Sequence, residues 1–361
     1  MRPLGLLLFA NAAIAQQATF HLVDIGHGNA AFAISPSGET MLLDCGPSFA
    51  AERIHSFMQQ NGIAKIDYLV ISHFEDDHMG AVAALSKKVP ILNYVDHGES
   101  VTYDKSDEWW KGRRGPWWRA GIGAQDNKRM DAYKAARATG RHIPVKPGDK
   151  IPIKGLDVVV VAAAGRNISK PLIGGGANPA CSQVKLRAED DAEDGQSVGV
   201  VISSGKFRFI YLGDMTWNNS YRLFCPQNMV GPVDAYLVTH HAQSMNTDLG
   251  EYYGALSCCS AAEVRGLNPR VGLLSMGSQG HKYGTADAIK TVREHGMDLW
   301  QTEKITGGGE AGLNAPDDFI ANIGGPRGDQ VPSIRLIANP DSSFTVSSSR
   351  NNFSKKYPPR P

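Results

Sequence analysis

The sequence predicts an α/β protein in which sheets are covered by helices, and three observations carry that reading. β-rich runs dominate the first 44 residues, and strand and helix then alternate along both halves of the chain. Neither a linker that would divide the chain nor a repeat of fixed period interrupts the pattern.

The elements follow in order. Residues 19–25 have the apolar, β-rich content of a strand, Gly26-His27-Gly28-Asn29 turns the chain into 30–35, and Ser37-Gly38 leads to a third strand ending at Asp44. Residues 50–61 carry apolar side chains at helical spacing, with Gly62 placed to end the helix. A buried strand over 66–71 feeds the loop 72–80. A short helix over 79–87 and a strand over 91–95 come next, and the strand delivers His97 in a Gly-containing turn. Residues 99–127 form an irregular aromatic and basic insertion, followed by a helix over 128–139. The turn Lys146-Pro147-Gly148-Asp149 leads to strands over 150–153 and 156–162. A second long loop covers 165–194, a length usually tied to function. Two strands follow, 197–202 and 207–212, the second ending in Gly213-Asp214. A helix over 216–224 then leads to the strand 233–239, which ends in His240-His241. A strand over 271–276, a Gly-rich turn with His281 and Lys282, and a helix over 285–295 repeat the pattern. Residues 333–348 read as a closing hairpin, and 350–361 as a flexible polar tail.

The chain has 361 residues, a net charge of +1, 42% hydrophobic and 20% charged residues, the balance of an ordinary globular protein. Its opening has a basic start, a short apolar stretch over 4–10 and small residues at 13–15, which predicts a secretory signal over 1–15 cut before Gln16. A single domain then spans 16–349, and the mature protein is expected to be secreted or periplasmic. No segment reaches the roughly 20 apolar residues that a membrane span needs. Five cysteines, at 45, 181, 225, 258 and 259, make disulfides plausible in an oxidising compartment. Pairing of Cys181 with Cys225 is favoured, with Cys45 a buried thiol. Balanced charge argues against a dedicated duplex-binding protein. The segment 105–119 nevertheless interleaves four tryptophans with Lys and Arg, a composition able to contact single-stranded nucleic acid or a sugar phosphate, or simply to pack on the domain body.

The most informative segment is Ser72-His-Phe-Glu-Asp-Asp-His-Met-Gly80. It places His73, Glu75, Asp77 and His78 directly after a buried strand. Ionisable groups in such a place must be paired or bind metal. On an extended segment His73 and Glu75 project to one side, while Asp77 and His78 can turn back from the other. The alternative is a solvated acidic turn that caps the following helix.

With these residues in view, the chain resembles the metallo-β-lactamase superfamily, in particular its ComEC-type branch, the competence-protein hydrolase domain. The matching pieces are Asp24-Ile-Gly-His27-Gly-Asn-Ala30, the loop 72–80, Gly195-Gln-Ser197-Val198, Leu212-Gly-Asp214 and Val238-Thr-His240-His241. The resemblance implies a four-layer αββα sandwich with a metal site at loop ends between two sheets. It implies that His73 and residue 75 hold a first metal, Asp77 and His78 a second, that Asp214 bridges, and that the His240-His241 pair gives the last ligand. The working assignment makes His240 the ligand and His241, with Asp77, catalytic, the choice between the two imidazoles staying open. Glu75 departs from the family's second histidine, and no histidine stands near Gln196-Ser197. His97 is a candidate substitute. Carboxylate in place of imidazole weakens the preference for zinc, so one or two Zn2+ or Mn2+ are expected.

A metal in such a site lowers the pKa of bound water to about 7 and so sharpens a nucleophile. Asp77 would orient or deprotonate that water, and the imidazole not used as ligand would protonate the leaving group. Asp24, His27, His97, Ser197, His281 and Lys282 are candidate substrate contacts or supports of the ligands. The expected activity is hydrolysis of a phosphodiester, on a small-molecule or polyanionic substrate. The alternatives are lactone, lactam or ester hydrolysis, and a secreted binding module with a degraded metal motif.

Overall fold

Side-chain alternation decides which layer each strand serves. Along Ala18–Val23, Phe20 and Leu22 enter one apolar cluster while Val23 enters another on the opposite face, and Met41 and Leu43 oppose Leu42 in the same way on Thr40–Leu43. A computed structural model describes residues 17–114, 120–243, 254–277, 285–306, 312–324 and 330–360. The predicted signal segment 1–15 lies outside them.

The first sheet runs Ser354–Tyr357, Phe344–Ser348, Ser333–Ala338, Ala18–Val23, Ala31–Ile34, Thr40–Leu43, Ile66–Val70, Ile91–Asp96, Arg141–Pro144. The second runs Ile320–Asn322, Asp298–Glu303, Val271–Leu274, Ala235–Leu237, Phe207–Tyr211, Gly199–Ser204, Asp157–Ala163, Lys150–Ile151, and Arg166–Asn167 also pairs with Asp157–Ala163. Both sheets change from antiparallel to parallel pairing partway across, at Thr40–Leu43 in the first and Phe207–Tyr211 in the second. The carboxyl ends of the parallel strands therefore gather along one edge of the molecule, the place where open α/β sheets bind ligands.

Between the sheets lies a core that includes Phe20 stacked on Phe209, with centroids 4.7 Å apart and planes at 14°. Ile54, Phe57 and Met58 of helix Ala51–Gln60, with Met130 and Tyr133 of helix Ile122–Arg137, cover the outer face of the first sheet. Leu223 and Phe224 of Trp217–Phe224, Val264 and Leu267 of Ala261–Leu267, and Ile289 and Val292 of Ala286–Glu294 cover the second. The result is the αββα sandwich that the resemblance implies.

Several elements depart from the sequence reading. The helix expected over 79–87 is two short ones, Asp76–Met79 and Val82–Leu85. They break at Gly80, where a Cβ would meet the Asp76 carbonyl oxygen at 2.4 Å and the Ser48 nitrogen at 2.7 Å. The helix expected over 128–139 starts earlier, as Ile122–Arg137, and a further helix, Asp107–Arg114, lies inside the segment read as irregular. Trp110 is buried against Gly123, whose missing side chain makes room for the indole, so this tryptophan is a packing residue. Trp117, Trp118 and Arg119 lie outside the described residues. The tail from 350, expected to be flexible, pairs as Ser354–Tyr357 with Phe344–Ser348, because Tyr357 stacks on Phe344 at 4.5 Å and its hydroxyl accepts from Trp300 Nε1 at 3.2 Å. Cys181 and Cys225 form a disulfide, Cys258 and Cys259 form another, and Cys45 is a buried thiol. Among the described residues no helix is long and apolar enough to cross a membrane.

Candidate metal centre

Asp44, immediately after a strand of the first sheet, organises the loop that follows the next parallel strand. It sits at φ 56°, and its Oδ1 accepts from the Ser72 amide at 2.7 Å. Its Oδ2 accepts from Ser72 Oγ at 2.8 Å, from His78 Nδ1 at 2.5 Å and from the Tyr211 hydroxyl. A proton on His78 Nδ1 leaves Nε2 as a lone pair. Ser72 Oγ, having given its proton to Asp44, accepts from His73 Nδ1 at 3.0 Å. On the second sheet, His241 Nδ1 donates to the Ser275 carbonyl at 3.1 Å. Three imidazoles are thus fixed by their Nδ1 protons, each with Nε2 pointing into the site.

The turn carrying His241 is strained. His240, His241 and Ala242 all have positive φ, at 48°, 50° and 56°. Such non-glycine residues cost on the order of 1–3 kcal/mol each. The fully buried Glu263 offsets this by accepting from Ser220 Oγ at 2.6 Å, the Tyr236 hydroxyl at 2.6 Å and Thr239 Oγ1 at 2.7 Å, which anchors the residue before the turn.

Two groups of potential ligands result. Asp77, His78, Asp214 and His241 each bring one ligand atom within 4.8 Å of the others, and so do His73, Glu75 and Asp194. Asp214 Oδ2 lies 3.1 Å from His78 Nε2, 3.7 Å from His241 Nε2 and 3.4 Å from His240 Nε2. His73 Nε2 lies 3.3 Å from Asp194 Oδ1. All these side chains except Glu75 and Asp77 are buried.

Whether the residues fit a cation can be tested on these atoms. Nε2 of His73 and of His78, Oδ1 of Asp194 and Oδ1 of Asp214 are buried and make no hydrogen bond. Lone pairs that face one another away from water are costly unless positive charge stands between them. Without a cation the surrounding carboxylates draw a proton onto these Nε2 atoms, and a bound cation would take that proton's place. Burial and His78 pull the His73 pKa down, yet Asp194 and Asp214 lift it to about 9. Burial likewise opposes charge on His78, and Asp214, Asp44 and Asp77 hold its pKa well above the usual imidazole value. Burial and the neighbouring Glu75 push Asp194 well above the carboxylate range, and burial, with Glu75 and Asp191, lifts Asp190 to about 6. A surplus of crowded carboxylates draws in positive charge, and a divalent cation supplies it. The donor set fits.

The structure brings His73, Glu75, Asp77, His78 and Asp214 together. It puts His241 in the group with Asp77, the place the resemblance led us to expect for His240. His240 instead faces Asp214 with Nε2 and leaves its buried Nδ1 without a hydrogen bond. His27 stands at the half-exposed rim, its Nε2 donating to Asp77 Oδ2 at 2.8 Å. Ser197 Oγ accepts from the Asp214 amide at 3.2 Å and so supports that loop. Asp24 accepts from the Gly26 amide at 3.0 Å and Asn322 Nδ2 at 2.8 Å and joins neither group, a structural tie between the two sheets. His97 also joins neither, because its Nε2 is held 3.1 Å from Glu193 Oε2. His281 and Lys282 lie outside the described residues.

Sequence reading missed Asp194, although it directly precedes the quoted piece Gly195-Gln196-Ser197. The resemblance points to a histidine there, and one carboxylate among Glu189, Asp190, Asp191, Glu193 and Asp194 carries no distinguishing mark. Glu193 was also missed. Its carboxylate accepts from Ser100 Oγ at 2.6 Å, the Val101 amide at 2.8 Å and the Phe74 amide at 3.3 Å, so it clasps the loop 97–102 to the ligand loop.

Several known proteins are similar to parts of the chain or to its fold. A stretch of 53 residues, 14% of the chain, is 42% identical to the anaerobic nitric oxide reductase flavorubredoxin of Aliivibrio fischeri and spans 11% of that protein. Zinc-bound PqqB from Methylobacterium extorquens is similar in structure, at 14% identity and a TM-score of 0.44, over 78% of this chain and 97% of that one. The diiron β-hydroxylase CmlA from Streptomyces venezuelae is similar at 13% identity and a TM-score of 0.44, over 79% of this chain and 52% of that one. The profile of the Beta-lactamase superfamily domain matches residues 39–241, more than half of the chain and the span that holds every residue of both ligand groups. With two sheets, two helical layers and ligands at the strand ends, the chain belongs to the metallo-β-lactamase superfamily.

Proposed function

We propose that this metal-dependent hydrolase cleaves phosphodiesters, with cations held by Asp77, His78, Asp214 and His241 and by His73, Glu75 and Asp194. The observation that carries the reading is the pair of adjacent ligand groups whose buried lone pairs face one another without hydrogen bonds. Two such positions side by side suit the displacement of one phosphate oxygen by another, since charge develops on both the entering and the leaving atom. Cations bound there would be zinc or manganese, and they would polarise a phosphoryl oxygen and lower the pKa of a coordinated water to about 7.

The protein's own groups do the rest. Asp44, through Ser72 and His78, keeps two imidazoles in the one tautomer that presents Nε2. His27 holds Asp77 Oδ2 in place from the rim. His240, outside both ligand groups, is the buried imidazole left to hold a proton near Asp214. The Asp24–Ala30 run and the loop 72–80 support membership of the ComEC-type branch. The disulfides Cys181–Cys225 and Cys258–Cys259 support export, after cleavage before Gln16, into an oxidising compartment. The insertion around 105–119 is proposed to contact a single-stranded nucleic acid or sugar phosphate.

Bis(p-nitrophenyl) phosphate, lactones and nitrocefin, each assayed with added Zn2+ or Mn2+, test the substrate class. Phosphodiester turnover that is lost in Asp214→Ala supports the proposal, whereas turnover of lactone or lactam alone replaces it with the ester and amide reading. A protein that recruits no metal is a binding module.

A further inference from the structure

The two ligand groups are chemically unequal. Asp77, His78, Asp214 and His241 offer two imidazole nitrogens and two carboxylates, while His73, Glu75 and Asp194 offer a single imidazole and two carboxylates. The chain has other imidazoles close by, yet neither enters the second group. His97 is turned onto Glu193, 3.1 Å away, and His240 faces Asp214 Oδ2 at 3.4 Å.

The oxygen-rich group is also held rigidly. Glu193 is clamped by the loop 97–102, and the turn that presents Asp194 is closed by Asp190, whose carboxylate accepts from the Ala192 amide at 3.1 Å and the Gly195 amide at 2.7 Å. A rigid Asp194 cannot swing away and admit a nitrogen donor in its place. Into this acidic group points the fully buried His73 Nε2, which makes no hydrogen bond. That lone pair marks the cluster as a ligand site and not merely an acidic loop.

We infer that the two positions differ in hardness and load different cations, zinc at the imidazole-rich position and a harder divalent cation, manganese(II), at the position of His73, Glu75 and Asp194. The inference rests on the metal-hydrolase reading and deepens it. Imidazole favours zinc, while carboxylate oxygen suits manganese and magnesium, and the general affinity order places zinc above manganese at any one site. Discrimination therefore shows as a difference between the two positions in how readily zinc displaces manganese.

The test uses the whole chain stripped with a chelator, loaded with excess manganese(II) and titrated with zinc. Bound metals are counted by mass spectrometry, and manganese is followed by electron paramagnetic resonance. Displacement is expected in two separate steps, with one equivalent of manganese persisting after the first. Asp194→His should raise the zinc preference of that persisting equivalent by about tenfold or more, whereas Asp194→Glu, which keeps an oxygen donor, should not. Displacement of both equivalents in one step, or the same selectivity in the His and Glu variants, overturns the inference. The two-step displacement in the unmodified protein decides the matter even if a variant does not fold. Retention of neither metal would refute the hydrolase reading itself, and retention of two metals without discrimination would refute only this inference.

Discussion

Glu193 lies beside a ligand but outside both groups, so its energetic role can be measured without any metal. Burial raises the cost of its charge, but His97, Ser100 and the His73 field outweigh burial and bring its pKa from 4.5 down to about 2. A folded-state pKa below the unfolded one stabilises the protein above the unfolded value, and the stabilisation is lost as pH falls through the folded value. The contribution is therefore complete above about pH 4.5 and disappears towards pH 2. At roughly 1.4 kcal/mol for each tenfold change in proton affinity, it amounts to about 3 kcal/mol. Glu193→Gln keeps the shape and removes the charge. Urea unfolding with a chelator present should show a gap of about 3 kcal/mol between the unmodified protein and the variant at pH 7, shrinking to about half that at pH 3. A gap that stays constant between pH 7 and pH 3, or no gap at all, would refute the assignment of a charged clasp.

Three further outcomes follow from the geometry. Asp44→Asn, which touches no cation but loosens His78, should weaken metal binding by about 10- to 100-fold in equilibrium dialysis while leaving the circular dichroism spectrum unchanged. Tyr357→Ala removes the stack on Phe344 and the partner of Trp300, and thermal or urea unfolding should show a loss of about 3 kcal/mol, which a loose tail would not give. Because both groups crowd carboxylates, a cation at about 1,000 times its dissociation constant should stabilise the fold by about 4 kcal/mol and raise the melting temperature, and chelation should reverse the effect.

What could be read from the sequence depended on locality. The loop 72–80 was legible because its four candidate ligands stand within six residues after an apolar run, and the structure divides them as their spacing suggests. His73 and Glu75 go to one group, Asp77 and His78 to the other. Asp214 was legible as a carboxylate at a strand end. Asp194 was not, because its distinction is three-dimensional: only the folded chain sets it 3.3 Å from His73 Nε2. The choice between His240 and His241 depends on three consecutive left-handed residues, His240, His241 and Ala242, and on the Ser275 carbonyl, which fixes the ring of His241. No local pattern announces either feature. In the fold, strands with clear alternation or apolar runs were found, while Ser354–Tyr357, with Lys355 and Lys356 along it, has too few apolar side chains to be recognised without its neighbour Phe344–Ser348. The helix Asp107–Arg114 was hidden for a related reason, since its burial of Trp110 depends on the gap left by Gly123.

The central claim is that residues from both sheets converge on bound cations. Anomalous diffraction from crystals grown with zinc or manganese, collected on either side of the metal's absorption edge, tests it most directly. The account predicts two peaks, one among Asp77, His78 and His241 and one among His73, Glu75 and Asp194, with Asp214 beside them. Peaks located elsewhere, or none at full metal supply, would contradict it.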